Sequence, residues 1–236
     1  MVKLIQSYRL FLFIAAALLL AAFAPPVTNH PNLVGYWSFN NNNVTVDQSA
    51  NNLETTNHGA PIVKGKKGNA LSFNGKEFLE VNYSPVTDKF ENGITISAWI
   101  LRRESDAWNT IVSREIGTGW SEYFGLAVVK NKALFSIDAD GKHYKNIKSS
   151  FDVPLNKWTH LAGTYNNKVF KLFVDGKEAA SDTCNLPFSF QDKNPMVIGG
   201  NTNTQGKEWI DLFYGSIDEV RIYNRALDNK EIQRIK

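Results

Sequence analysis

A single cysteine, Cys184, stands in a chain of 236 residues. That scarcity excludes any disulfide within the chain, and the position, far from the N-terminus, leaves nothing there to carry a lipid. No residue beside Cys184 suggests an activated nucleophile. The four histidines, His30, His58, His143 and His160, show no His-x-x-x-His spacing, so no histidine metal centre is indicated. His160 alternates with Trp158 and Ala162, the setting of a packed or hydrogen-bonded strand residue. A glycine-rich phosphate loop before a helix is missing too, as are low-complexity tracts and strong internal repeats. Charge of one sign is also lacking: 26 basic residues face 23 acidic ones. Such a balance, spread along the chain, gives no reason to expect a nucleic acid or an anionic membrane as partner.

Only one long apolar run is present, Leu10–Ala24, preceded by Lys3 and Arg9 and followed by Pro25-Pro26. A charged start, a short apolar stretch and the small-x-small triplet Ala22-Phe23-Ala24 read as a secretory signal; Pro25 directly after the triplet disfavours cleavage and leaves an uncleaved N-terminal anchor open. Residues 1–24 are therefore expected to be signal or anchor, 25–32 a linker, and 33–236 one folded domain. The expected location is secreted, periplasmic or at the cell surface, with no membrane insertion of the mature domain unless the segment stays attached. About 210 residues suffice for one buried core without disulfides.

What the chain has in abundance is strand pattern. Ile94, Ile96, Ala98 and Ile100 alternate with Thr95, Ser97, Trp99 and Leu101, which predicts a strand covered on both faces. Phe170, Leu172 and Val174 run up to Asp175-Gly176, Phe135 and Ile137 to Asp140-Gly141, and Leu71 and Phe73 to Asn74-Gly75. These dipeptides supply the positive φ of two-residue hairpin turns, with Asn166-Asn167 and Asn131-Lys132 as weaker candidates. One helix is expected, at the C-terminus, where Asp228 and Glu231 match a capping pair. Regular short strands and many aromatics predict an all-β, two-sheet antiparallel sandwich. In the last strand, counting in twos puts Asp218 on one face with Ser216, Val220 and Ile222, an acid on an apolar face that burial would penalise.

Gly35-Tyr36-Trp37-Ser38-Phe39-Asn40, Gly68-Asn69-Ala70-Leu71-Ser72-Phe73-Asn74-Gly75, Thr95–Ile100, Lys157–Tyr165, Leu172–Lys177 and Gly215–Leu227 follow one another in the order seen in LamG-like jelly-roll domains. Over roughly residues 33–236 the chain thus resembles that group of the concanavalin A-like lectin/glucanase superfamily. The resemblance implies a jelly-roll sandwich with a short C-terminal helix, its first and last strands side by side. It also implies a structural calcium ion where the loop after the first strand, residues 40–55, meets the last strand. Asp218 and Asp47 would be the carboxylate ligands, with Asn40 and Asn52 contributing, because Ca²⁺ takes six to eight oxygens. The sequence departs from the pattern in having Asn40 where relatives often carry Asp. The alternative for Asp218 is hydrogen bonding to backbone amides or pairing with an arginine.

Some members of the superfamily hydrolyse glycans with carboxylates in a Glu-x-Asp-x-x-Glu arrangement, which this chain lacks. Asp138 and Asp140 alternate and Glu115 and Glu122 flank a loop, but no enzymatic role is expected. Binding fits better, since sugar sites combine exposed aromatic rings with polar handles. Trp108, Trp120 and Trp209 lie in polar or glycine-bordered stretches, unlike Trp37, Trp99 and Trp158 within strand patterns. With Tyr123 they are the expected aromatic contacts, and Arg103, Glu122 and Asn203 the expected polar ones. The competing role for such loop aromatics is to cap the open end of the core. The expected partner is a glycan or an extracellular protein: a carbohydrate-binding or adhesive module, or a protein-interaction domain.

Overall fold

The computed structural model describes residues 30–236 apart from 42, 105–107, 117–121, 139–141, 187, 189, 191 and 204–207. In chain order its strands are Leu33–Trp37 (β1), Thr55–His58 (β2), Ile62–Lys64 (β3), Asn69–Asn74 (β4), Phe78–Val81 (β5), Ile94–Arg102 (β6), Trp108–Glu115 (β7), Glu122–Val129 (β8), Lys132–Ile137 (β9), Lys145–Asp152 (β10), Trp158–Tyr165 (β11), Val169–Val174 (β12), Lys177–Thr183 (β13), Met196–Ile198 (β14), Asn201–Asn203 (β15), Glu208–Ile210 (β16) and Tyr214–Tyr223 (β17). The helix Asn229–Ile235 (α1) follows.

Two antiparallel sheets form the sandwich. One has eight strands, β13-β12-β11-β6-β17-β4-β3, with β1 also on β17; the other has seven, β10-β9-β8-β7-β14-β5-β2. The first and last strands are neighbours, Leu33 opposite Tyr223 and Trp37 opposite Val220, while β4 pairs with the other half of β17. Apolar side chains from both sheets meet between them, among them Trp37, Phe73, Phe90, Phe124, Phe135 and Phe170, all fully buried. Each such ring contributes roughly 1.5–3 kcal/mol by leaving water. The Ile94–Arg102 strand is covered on both faces as its composition predicts.

The turns follow the expected chemistry with two exceptions. Asp175 and Gly176 take φ of 49° and 73° and close the β12–β13 hairpin, the pair of positive angles that a type I′ turn needs. Asn166 and Asn167 close β11–β12. Between β8 and β9 the positive-φ residues are Lys130 and Asn131, so the turn sits one residue earlier than Asn131-Lys132. Asn74-Gly75 turns the chain without making a hairpin, because β4 belongs to the eight-stranded sheet and β5 to the seven-stranded one. Local turn chemistry fixes the reversal, whereas the sheet that receives the next strand is a tertiary choice. The Asp140-Gly141 turn and residues 1–29 lie outside the described residues. No helix among the described residues is long and apolar enough to cross a membrane.

Strand β17 corrects the face count made from sequence. Glu219 has φ of 54°, and the pairing with β6 jumps from Asp218–Trp99 to Arg221–Ser97, so one extra residue is accommodated there. A bulge of this kind inverts the alternation beyond it. Ile217, Val220 and Ile222 all enter the core, while Asp218 turns to the outer face of the sheet, away from them.

Candidate functional site

Strands β7 to β10 with β14, β5 and β2 expose one broad face away from the core. A single row crosses all seven strands on that face: Thr56, Glu80, Val197, Ser113, Gly125, Ser136 and Asn146, paired neighbour to neighbour. Apart from Val197 the row is of small or polar residues, and at Gly125 a neighbouring side chain crosses it closely. Glu122 folds over Gly125, where an added Cβ would stand 2.8 Å from both Glu122 Oε1 and Ser136 Oγ. Ser136 Oγ donates to Glu122 Oε1 at 2.7 Å.

The two-stranded ribbon β15–β16 lies across this face. Asn201 Nδ2 donates to Glu122 Oε2 at 3.3 Å and Ser113 Oγ to Asn201 Oδ1 at 3.0 Å, while the Thr202 hydroxyl donates to Glu115 Oε2. From the same ribbon Trp209 stacks on Phe78 with ring centres 3.8 Å apart, and Phe78 stacks on His58 at 4.2 Å. His58 is itself paired with Glu80 at 3.1 Å. Toward the other end, Trp108 pairs across with Val129 and is 42 % exposed, beside an apolar patch of Ala127, Val129 and Leu134. Tyr144, 39 % exposed, adds a third ring; burial first, then the negative charge of Glu122, pushes its phenol up to about 12. Glu122 is held above the usual carboxylate range, mainly by desolvation, with Asp211 and Asp138 adding to it against the hydrogen bonds from Ser136 and Asn201.

The expected binding residues therefore divide. Trp108, Trp209 and Glu122 share the outer face of the seven-stranded sheet. Tyr123 is fully buried, 4.8 Å from the Phe190 ring and bonded to Asp192 Oδ2 at 3.0 Å, so it belongs to the core and not to a ligand-contacting surface. A bulge near Glu115–Arg114 turns it inward. Arg103 reaches Ser72 Oγ at 3.3 Å on the other sheet, away from the tryptophans. Trp120 and the side chain of Asn203 lie outside the described residues. Tyr144 carried no signal in the sequence; it sits in a polar stretch and only the β9–β10 connection brings it beside Ser136.

The four expected calcium ligands also form two groups. Asp218 Oδ2 accepts the Lys67 amide at 2.8 Å, and Asn40 Oδ1 accepts the Asn69 amide at 2.6 Å while Asn40 Nδ2 donates to the Lys67 carbonyl at 3.1 Å. Both residues thus hold the loop 65–69. Asp47 holds its own loop instead, accepting the amides of Tyr36, Ser49 and Leu53 and the Ser49 hydroxyl at 2.7–2.9 Å. Asn52, exposed with φ of 49°, lies in that same loop. Among the described residues no group of three or more His, Cys, Asp or Glu is placed to hold a metal ion. Asp218 is fully buried opposite Trp99 of β6, its Oδ1 has no hydrogen-bond partner, and desolvation pushes its pKa up to about 6.

The family of the concanavalin A-like lectin/glucanases superfamily matches residues 73–233. The chain belongs to that superfamily. Among solved structures, domain 4 of the extracellular arabinanase AbnA from Geobacillus stearothermophilus, determined in complex with arabinotriose, is 20 % identical with a TM-score of 0.69, covering 86 % of this chain and 98 % of that one. The binding domain of Paraclostridial Mosquitocidal Protein 1 is 18 % identical with a TM-score of 0.69, covering 87 % of this chain and 52 % of that one. Mouse usherin is 33 % identical over 84 residues, which are 34 % of this chain and 2 % of usherin. This member of the superfamily thus spans a small fraction of its curated relative and about half of the toxin domain. These structural likenesses are likenesses of fold.

Proposed function

We propose that this lectin-fold domain is an exported, non-catalytic binding module that takes a glycan on the outer face of its seven-stranded sheet. One observation carries the reading: Trp108, Tyr144 and Trp209 come from separate stretches of sequence to one face, along a row that includes Thr56, Ser113, Ser136 and Asn146. Rings offer the apolar faces of sugars a stacking surface, and hydroxyls and amides read the rim. Support for a non-catalytic role comes from Glu115 and Glu122, both buried and engaged by Thr202, Ser136 and Asn201.

Isothermal titration with arabinan, galactan, xylan and β-glucan oligosaccharides tests the proposal. Trp108→Ala should weaken binding by about tenfold or more, as anchoring aromatics do, and leave the melting temperature unchanged. A protein partner is the second reading, favoured by the floor's polar atoms bonding chiefly to one another. Absence of binding to the whole panel would select it.

Calcium is a separate proposal. Its supporting observation is the buried, unpartnered Asp218 Oδ1 beside the loop that Asn40 and Asp218 hold together. Those two side chains and backbone carbonyls of residues 65–69 would supply the oxygens. A melt with chelator and with added calcium decides: a rise of several degrees on calcium supports the ion, and coincident curves remove it.

A further inference from the structure

We propose that the ribbon divides this sheet face in two and that the glycan lies on one half only, along β10, where Asn146 and Lys148 read its hydroxyl groups between the rings of Tyr144 and Trp108. The inference rests on the glycan reading above and adds to it the length of the ligand and its polar contacts.

The division follows from where the ribbon is fastened. Thr202 and Asn201, on β15, reach Glu115 and Ser113 of β7, and Ser113 Oγ also donates to the Gly200 carbonyl at 2.9 Å. Beyond β16 the Asp211 carbonyl takes the amide of Thr110, toward the other end of β7, at 3.0 Å. The ribbon thus runs lengthwise along β7, where Thr110 and Ser113 are buried, and a glycan crossing from β2 to β10 would have to displace it. On the β2 side the side chains are occupied: Phe78 stacks on both Trp209 and His58, and His58 pairs with Glu80. Trp209, held by Phe78, is a positioning residue for the wall that the ribbon makes.

The β10 side is different. Asn146 pairs with Ser136 and Lys148 with Leu134, so both lie on the face of the Ala127, Val129 and Leu134 patch, while Ile147 between them enters the core. Tyr144, two residues before Asn146, continues the line. All three are exposed, and the side chains of Asn146 and Lys148 are engaged by no hydrogen bond or ion pair among the described residues. Trp108 closes the line, because its partner Val129 pairs with Lys132, one step beyond Leu134 on the same face. The distance from the level of Tyr144 to that of Lys132 is about six residues of β9, roughly 20 Å. A free amide and a free ammonium between two rings suit a chain of sugars, whose apolar faces stack and whose hydroxyls both donate and accept. Side chains already bonded must give up a partner to serve a ligand, and these two need not.

The test titrates arabinan, galactan, xylan and β-glucan oligosaccharides, disaccharide to octasaccharide, into the full chain and follows its amide chemical shifts. For a glycan that binds, affinity should climb with length to about four sugar rings, the reach of roughly 20 Å, and then level off. The shift changes should gather on β8, β9 and β10 and leave β2 unmoved. Asn146→Ala and Lys148→Ala, both on the exposed edge strand, should each weaken binding about three- to tenfold, the worth of one hydrogen bond, with the Tm unchanged. Affinity still rising at the octasaccharide, shift changes centred on β2 and β5, or full affinity in both variants overturns the half-face site while leaving glycan binding in place. No binding by any oligosaccharide overturns the glycan reading and this one with it.

Discussion

At the scale of single residues, the C-terminal helix shows how much a few side chains decide. Asp228 accepts the Glu231 amide and Glu231 reaches back to the Asp228 amide, both at 2.9 Å, and the same Glu231 forms two bonds with Arg225 at 2.6 and 2.9 Å. Asp228→Ala removes the cap and should cost about 1 kcal/mol of stability, read from the denaturant midpoint. The Arg225 guanidinium, in first place, holds Glu231 down at about 2. A depressed carboxylate stabilises the fold above its unfolded pKa, so this contribution should fade as pH falls from about 4.5 toward 2, and Glu231→Gln should lose that dependence. His160 adds to acid sensitivity for another reason. Fully buried, it is held at about 3 by desolvation and by Arg221, Lys67 and Lys236, so the unfolded chain takes up its proton first as pH falls below about 6.5. Its Tm loss between pH 7 and 5 should shrink in His160→Gln; an unchanged slope would refute the assignment. Asp218, pushed up to about 6, acts oppositely over pH 4–6 in both proteins, so it cancels in the comparison.

Among the elements, close approach between sheets governs what is tolerated. Gly163 on β11 faces the Phe135 ring of β9, and a Cβ there would run into ring atoms. Gly163→Ala should therefore cost roughly 1–3 kcal/mol by overpacking, measured by chemical denaturation. Strand β17 is held differently on its two faces. Its inner residues join the core, while outside the bulge Arg221 lies 4.1 Å over the Tyr36 ring and meets Glu219 at 2.6 Å, with the Tyr36 hydroxyl donating to Glu219 at 2.9 Å. The helix α1 packs on that outer face through Ile232 and Ile235 against Leu33, Tyr36 and Phe173. Trp209→Ala should differ from Trp108→Ala at this scale: Trp209 stacks on Phe78, so its loss should lower both the glycan affinity and the Tm.

For the molecule as a whole, the binding face depends on how distant segments are brought together. Trp108 starts β7, Tyr144 precedes β10, and Trp209 belongs to a ribbon laid across the sheet. No spacing in the chain encodes that convergence. The expected ligand set for calcium separated for the same reason. Asp47 and Asn52 share a loop, whereas Asn40 and Asp218 meet at residues 65–69, a stretch without any acid to attract notice in the sequence.

By itself the sequence determined the alternation of its strands, most of its reversals, the capped helix and the membership of a β-sandwich, because each depends on the chemistry of neighbouring residues. Tertiary structure alone decided that Asn74-Gly75 passes the chain between sheets, that Tyr123 points inward, and that Asp218 faces outward. A bulge adds one residue to a strand and reverses every side chain beyond it, and only the partner strand's register reveals where that residue goes.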